Sequence, residues 1–381
     1  MIYFDNNATT PIASEVFTAM KPFLTEFYGN PSSAYNFGRD TRKAIENSRE
    51  QLADLLGAND ADEIIFTSGG TESDNWAIHG TLEANPDKKH IITTRVEHEA
   101  VRKVCEKLEK RDFEVTWLEV DENGFLNLNE LKNSLREDTA IVSVMLANNE
   151  TGILFPVKEI ARIVKENSVA IFHVDGVNAV GKVPIDLKNT AIDLFSVSGH
   201  KFYAPKGIGA FYIRNSVKIS SISIGGGQEN GKRAGTEAVH QIVGIGAAAN
   251  LVKNLSVMEK IRGLRDKLEY EILNKIPNSR LNGTSDKEKR LPNTSNISFP
   301  NLNGEAILAK LNDAGICVST GSACNAEMHT ASPVLQAMNI PYTDAMGAIR
   351  FSLGRFNTES EVDFVLEILP KIIDELKEMS L

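Results

Sequence analysis

Apolar residues over the first 255 positions follow two alternating rhythms. Short runs rich in β-branched and aromatic residues recur as "EIIFTS" from 63, "HIITT" from 90, "EVTWLEV" from 114, "AIVSVML" from 140, "VAIFHVD" from 169, "IDLFSVS" from 192 and "GAFYI" from 209. Between most of them apolar positions recur at intervals of three and four, as in Leu52, Leu55 and Leu56 or Ile160, Ile163 and Val164, which gives a helix one apolar face. Strand alternating with helix predicts an α/β fold with a mostly parallel seven-stranded sheet between helices. From about residue 256 the pattern changes to a long charged helix, "MEKIRGLRDKLEYEILNKI", then a polar loop and mixed elements. We therefore expect a large domain over 15–255 and a smaller α+β domain over 256–381, with residues 1–14 packing on the smaller one. A chain of 381 residues is also long for a single hydrophobic core.

Charge and composition narrow the classes. A net charge of -10, without a long Lys/Arg run, argues against nucleic acid as a partner. No segment approaches the length of a membrane span, and the opening "MIYFDNNATTP" has neither a basic lead nor an apolar stretch, so a cytoplasmic protein is expected. Three cysteines without a CxxC pair predict neither a disulfide framework nor a structural metal site. Cys105 recurs at helical spacing with Val101, Val104 and Leu108, and Cys317 sits between Ile316 and Val318; both read as packing thiols. Cys324 differs, because "GICVSTGSACNAEMHTASP" surrounds it with Gly, Ser, Ala and Asn in a loop.

The ends of the predicted strands carry the candidate chemistry. "EIIF" leads into "TSGGTESDN", a glycine turn opening a helix, where backbone N–H groups with Gly70, Thr71 and Ser68 form an anion cradle; Thr71 and Asp74 equally fit a capping box. "VAIFHV" ends in Asp175, an acid at a buried position that calls for a cationic partner. "IDLFSV" ends in Ser198, Gly199, His200 and Lys201. An amine, a buried carboxylate and a phosphate cradle on one sheet edge suit pyridoxal phosphate, which needs a lysine for its aldehyde, an acid for its pyridine nitrogen and donors for its phosphate. His98, after another strand, supplies a flat ring to cover the cofactor face.

Segments in fixed order then carry a family resemblance: "DNNATTP" at 5, "GNPSSAYNFGR" at 29, "FTSGGTESDN" at 66, "VEHEAV" at 96, "NNETG" at 148, "HVDGVNAVGK" at 173, "SVSGHKFYAPKGIG" at 196, "GGGQENGKRAGT" at 225, "VSTGSACNAEMHTASPVL" at 318 and "IRFSLGRFNT" at 349. Almost end to end, the chain resembles the cysteine desulfurases, the NifS/IscS-like branch of the fold type I pyridoxal-phosphate enzymes. The resemblance implies that Lys201 holds the cofactor covalently and moves protons, that Asp175 pairs with the pyridine nitrogen, and that His98 stacks on the ring and helps in proton transfer. It places Gly70, Thr71, Ser198 and His200 at the phosphate, with Thr236 reaching in from the second subunit of a homodimer. Asn149 and Asn178 lie near the cofactor oxygen, and Arg350 with Asn149 binds the substrate carboxylate. Cys324, in loop 319–333, takes sulfur from L-cysteine as a persulfide and passes it to an acceptor protein such as an iron–sulfur scaffold.

Gly321, Ser322 and Ala323 offer little packing to restrain such a thiol, and the attacking species is the thiolate. His329 nearby reads as an incidental loop histidine. Asn178 stands where the family commonly has Gln, Gly176 where it has Ala and Tyr35 where it has His. The chain stops soon after "KIIDELKEMSL", short of the tail of many scaffold-binding members, which leaves the acceptor open. Selenocysteine lysis and transamination are the alternative reactions on the same frame.

Overall fold

Each of the seven apolar runs forms a strand, for the reason its composition suggests: most of their residues are buried, on both faces of one sheet. The computed structural model describes residues 1–320 and 330–379. Among these residues the strands are, in chain order, β1 (Ile2–Tyr3), β2 (Ile64–Thr67), β3 (His90–Thr94), β4 (Glu114–Leu118), β5 (Thr139–Ser143), β6 (Ile171–Asp175), β7 (Leu194–Ser198), β8 (Gly209–Ile213), β9 (Arg280–Leu281), β10 (Thr294–Ser298), β11 (Ile316–Cys317) and β12 (Ala348–Ser352).

The seven-stranded sheet has the order β2-β8-β7-β6-β5-β3-β4, with β8 antiparallel to both its neighbours and the other pairings parallel. The mostly parallel architecture expected from the sequence is therefore present. Its consequence for function is that β2, β3, β5, β6 and β7 all deliver their carboxyl ends to one edge.

Two smaller sheets lie apart from it. β12, β10 and β9 form an antiparallel sheet, and β1 pairs in parallel with β11, Ile2 opposite Ile316. Helices Ser256–Lys275 and Glu359–Met379 pack beside them around a second core that includes Phe4, Leu268, Ile297, Phe351 and Leu369. Phe4 brings the amino-terminal segment into this core, while Ala331, Val334, Leu335 and Met338 pack into the first core with the large sheet. The chain thus crosses between the cores on both sides of the site described next.

Cys105 is fully buried in helix Glu99–Glu109, and burial pushes its thiol up to about 12. Cys317 lies half-buried in β11. Both occupy packing positions, as their neighbours in sequence suggest. One expectation fails: the helix after β2 begins at Gly70 with Gly69 as its N-cap, no side chain caps it, and no Thr71–Asp74 box forms. Glu72 instead accepts from the Ser68 N–H at 2.7 Å, and Asp74 is drawn into the interior.

Candidate active site

Asp175 ends β6 and Ser198 ends β7, and the turn Gly199–Lys201 carries the chain from Ser198 to the lysine within three residues. His98 follows β3 and caps helix Glu99–Glu109 by accepting the Ala100 N–H at Nδ1, 3.2 Å away. That bond leaves Nε2 to carry the proton of the neutral ring. Lys201 Nζ donates to the carbonyls of Asn7 (2.7 Å) and Ala8 (2.9 Å), so the amino-terminal "DNNATT" segment forms one wall of the site.

Asn7 links this lysine to the other candidates. Its Nδ2 donates to the carbonyl of Asn149 (3.2 Å) and to Thr294 Oγ1 (2.8 Å), and the Asn149 carbonyl also accepts from Arg350 Nη1 (2.9 Å). Arg350 Nη2 pairs with Asp5 at 2.7 Å, and its buried Nε has no partner among the described residues. Asn178, nearly buried, accepts from Lys182 Nζ at 2.8 Å, and its Nδ2 is likewise without a partner there. Lys201, Asn149, Arg350, Asn178 and Lys182 are thereby joined through one asparagine.

Three buried carboxyl groups share the neighbourhood, and their surroundings separate them. Burial raises Glu97 to about 8, and burial together with the charge of Asp175 holds Asp74 well above the usual carboxylate range. Burial raises Asp175 too, but His98, the Val177 N–H and Lys201 pull it back down. Of the three it is the one that Lys201 and the Val177 N–H draw back toward the charged form. Beneath it, burial lowers His173 to about 3, and hydroxyls of Ser143 (2.8 Å) and Ser196 (2.9 Å) meet its two nitrogens. Burial thus favours the neutral forms of His173 and Asp74 alike, while Asp175 keeps Lys201 as a nearby cation.

The glycine turn suits an anion. Gly69 holds φ 155°, a conformation that side chains rarely adopt, and a Cβ there would enter the space 3.7 Å from Ser198 Oγ. A Cβ on Gly70 would strike Val177 Cγ2 at 2.5 Å. Thr71 is exposed in the first turn of the helix, and its backbone N–H lacks an intrahelical acceptor by position. His200 Nδ1 meets Thr9 Oγ1 at 3.1 Å, and burial, then Lys201, lower it to about 4, so it stands as a neutral ring.

Thr236 is exposed beside a cavity of about 200 Å³ lined also by Ser68, Gly207 and Arg233, a lining that includes neither Lys201 nor Asp175. Its segment is pinned by Glu229, which takes both Arg49 Nη atoms (2.7 and 3.0 Å) and the Phe66 N–H (2.9 Å) in the interior. Cys324 and His329 lie outside the described residues. The flanks of their loop are anchored at the site: Ser319 and Arg350 exchange backbone hydrogen bonds of 3.2 and 2.7 Å, and Ser332 donates to the buried Glu150, next to Asn149. A larger cavity of about 660 Å³, lined by Phe125, Leu146, Phe155 and Phe195 among others, includes none of these residues and is mainly apolar. No group of three or more metal-ligating side chains occurs among the described residues.

The aminotransferase class-V family model matches residues 2–365. A cysteine desulfurase of Trichormus azollae is 52% identical over 382 residues, covering 100% of this chain and 94% of that protein. The chain belongs to the cysteine desulfurase family. Among solved structures, a NifS-like protein superposes with a TM-score of 0.92 at 39% identity, covering 98% of this chain and 100% of its own. SspA in complex with cysteine superposes at 0.83 with 33% identity, covering 94% of this chain and 100% of its own.

Membership in the cysteine desulfurases makes the departures interpretable. A Cβ on Gly176 would lie 1.9 Å from Phe195 Cζ, so the ring of Phe195 occupies the room that an alanine at this position would need. We expect Gly176→Ala to destabilise the fold by ~1–3 kcal/mol through overpacking. Denaturant unfolding checks this, and adding Phe195→Leu should restore part of the loss. Tyr35 is exposed at the N-cap of helix Asn36–Leu56, and nothing in its surroundings explains the replacement of His.

The sequence reading missed Asp5, Asn7 and Lys182 as neighbours of the site. Asp5 and Asn7 stood in a quoted segment but had no partner within reach along the chain. Lys182 follows Asn178 by four residues, a spacing that could have suggested the contact.

Proposed function

We propose that the protein removes sulfur from L-cysteine with pyridoxal phosphate, giving L-alanine and a persulfide on Cys324. The observation that carries the reading is the continuous network from Lys201 through Asn7 and Asn149 to Arg350, with both described flanks of the cysteine loop anchored on Arg350 and Glu150. The residues fit the cofactor on their own chemistry. Asn178 Nδ2 is a buried donor without a partner among the described residues, and a Cβ at Gly69 would fill the cradle in front of Ser198. Gly70, Thr71, Ser198 and His200 would hold the phosphate, Asp175 the pyridine nitrogen and His98 the ring face, with Lys201 as the covalent anchor. When bound, pyridoxal phosphate supplies an electron sink that weakens bonds at the substrate carbons.

The chain's own groups do the rest. Arg350 binds the substrate carboxylate through its guanidinium fork, whose Nε is free of any partner among the described residues. Asp5 keeps the guanidinium in place from the other side. Lys201 Nζ takes and returns protons, with the Asn7 and Ala8 carbonyls orienting it. His98 Nδ1 is tied to the backbone, so its proton chemistry runs through Nε2. The Cys324 thiolate attacks the substrate sulfur: the carbon–sulfur bond breaks, an S–S bond forms, and the electron pair and a proton complete alanine. L-Cysteine and a protein thiol thus become L-alanine and a protein persulfide, with no outside oxidant.

A nucleophilic thiol needs a reducing compartment, which supports the cytoplasm as its place of work. A persulfide is a product only when something collects it, which supports an acceptor such as an iron–sulfur scaffold. The exposure of Thr236, on a cavity that includes neither Lys201 nor Asp175, supports a homodimer in which this residue serves the partner's site.

Purified protein given L-cysteine should form alanine and sulfide in equal amounts once a reducing thiol is added. A keto acid as the main product would favour transamination instead, and turnover of selenocysteine alone would favour the lyase reading. Asp175→Asn keeps the shape but loses the charge that holds the pyridine nitrogen protonated. Alanine formation should fall by orders of magnitude with the far-ultraviolet spectrum unchanged. Activity within a few-fold of the wild type would leave Asp175 a structural role only.

A further inference from the structure

Lys182 is a buried lysine that the reaction described above does not use. It ends "DGVNAVGK", seven residues after Asp175, and lines one small void with Lys201. Its Nζ donates to Asn178 Oδ1 at 2.8 Å and Asn7 Oδ1 at 3.0 Å. No carboxylate among the described residues compensates it: burial first, then the charges of Lys201 and Arg350, hold its pKa well below the usual range. Its N–H groups therefore reach two amide oxygens and no charged partner among the described residues.

The two acceptors do not depend on this amine equally. Asn7 Oδ1 also accepts from Asn293 Nδ2 at 3.1 Å, and its own Nδ2 is held by Asn149 and Thr294. Asn178 Oδ1 has Lys182 as its only side-chain donor among the described residues, while Asn178 Nδ2 is buried with no partner there. An amide whose oxygen is fixed by a donor must present its N–H groups on the other side. We propose that Lys182 is a positioning residue that locks the carboxamide of Asn178 so that its N–H donors serve the phenolic oxygen of the cofactor. This rests on the pyridoxal-phosphate reading above and adds to it the group that sets the orientation of the shorter Asn in this chain.

The test measures affinity, not turnover. Apo-protein is titrated with pyridoxal phosphate, and dissociation constants are compared for wild type, Lys182→Met, Asn178→Ala and the double variant, with apo melting curves alongside. Lys182→Met keeps the length of the side chain and removes its donors. It should weaken binding about tenfold, as loss of one oriented hydrogen bond does. Asn178→Ala should weaken it by a similar factor, and the double variant should be no weaker than Asn178→Ala alone, because both changes delete one interaction. The visible absorbance of the bound cofactor should titrate at a higher pH in Lys182→Met, since a donor that stabilised the phenolate is lost.

Losses that multiply in the double variant, or wild-type affinity and titration in a folded Lys182→Met, overturn the inference. Should Lys182→Met not fold, Asn178→Asp takes its place, because it leaves Lys182 an acceptor but removes the N–H donors; binding must then fall at least about tenfold, and unchanged affinity overturns the inference equally. Failure of wild-type protein to bind pyridoxal phosphate would sink the cofactor reading itself, a result distinct from all of these.

Discussion

Lys201→Ala is expected to form no alanine from L-cysteine above the background of free cofactor. Only a primary amine can hold the cofactor aldehyde covalently and also move a proton at that point, and Lys201 is the amine at the ends of β6 and β7. The loss should not come from unfolding. The turn that carries the residue is held by its own backbone, with the Phe202 N–H on the Gly199 carbonyl at 3.0 Å and the Gly199 N–H on the Ile208 carbonyl at 3.0 Å. Removing Nζ leaves the Asn7 and Ala8 carbonyls without that donor, which costs ~1–3 kcal/mol if water does not replace it. The variant should melt somewhat lower, lack the yellow colour of lysine-bound pyridoxal phosphate, and remain folded. Alanine formation at a normal rate would remove Lys201 from its assigned role, and Lys182, which lines the same small void, would be the next candidate.

Cys324→Ser is expected to abolish alanine and persulfide formation while keeping the cofactor colour, because Lys201, Asp175 and the phosphate cradle are unchanged. A hydroxyl is far less ionised than a thiol near neutral pH and attacks sulfur poorly, so the substrate's carbon–sulfur bond should stay intact. The other two cysteines provide the controls. Cys105, with its thiol pushed up to about 12 in a closed core, has almost no thiolate at neutral pH. Cys105→Ser should cost ~1–3 kcal/mol of stability for the buried hydroxyl and leave specific activity intact. Cys317→Ser, at a half-buried strand end, should change both little.

How far the sequence exposes this arrangement depends on whether the informative contact is local. The strands ending in Asp175 and Ser198 are apolar almost throughout, so their polar last residues stand out, and Lys201 is three positions beyond one of them. The sheet that brings these ends together follows from strand–helix alternation alone. Contacts across the chain are another matter. Arg350 and Asp5 are 345 residues apart, and nothing in either segment announces the 2.7 Å pair. Lys182 looks like an ordinary solvated charge until the fold closes over it. Asp74 fits a cap by spacing, but the N-cap is Gly69, two residues before Thr71, and the carboxyl turns inward toward His173. Gly176 reads as a loosened Ala until the Phe195 ring is seen in the missing space. For Arg350, Asp74 and Gly176 the deciding partners, Asp5, His173 and Phe195, sit on different elements, where periodicity carries no information.

The central claim is that sulfur leaves cysteine for one particular thiol. Wild-type protein loaded with pyridoxal phosphate is incubated with L-cysteine without reductant, trapped with an alkylating agent, and examined as intact protein and as peptides by mass spectrometry. One additional sulfur atom on the peptide containing Cys324, formed together with an equal amount of alanine, is the predicted result. Sulfur found on Cys105 or Cys317, or alanine released with no persulfide on Cys324, would contradict it.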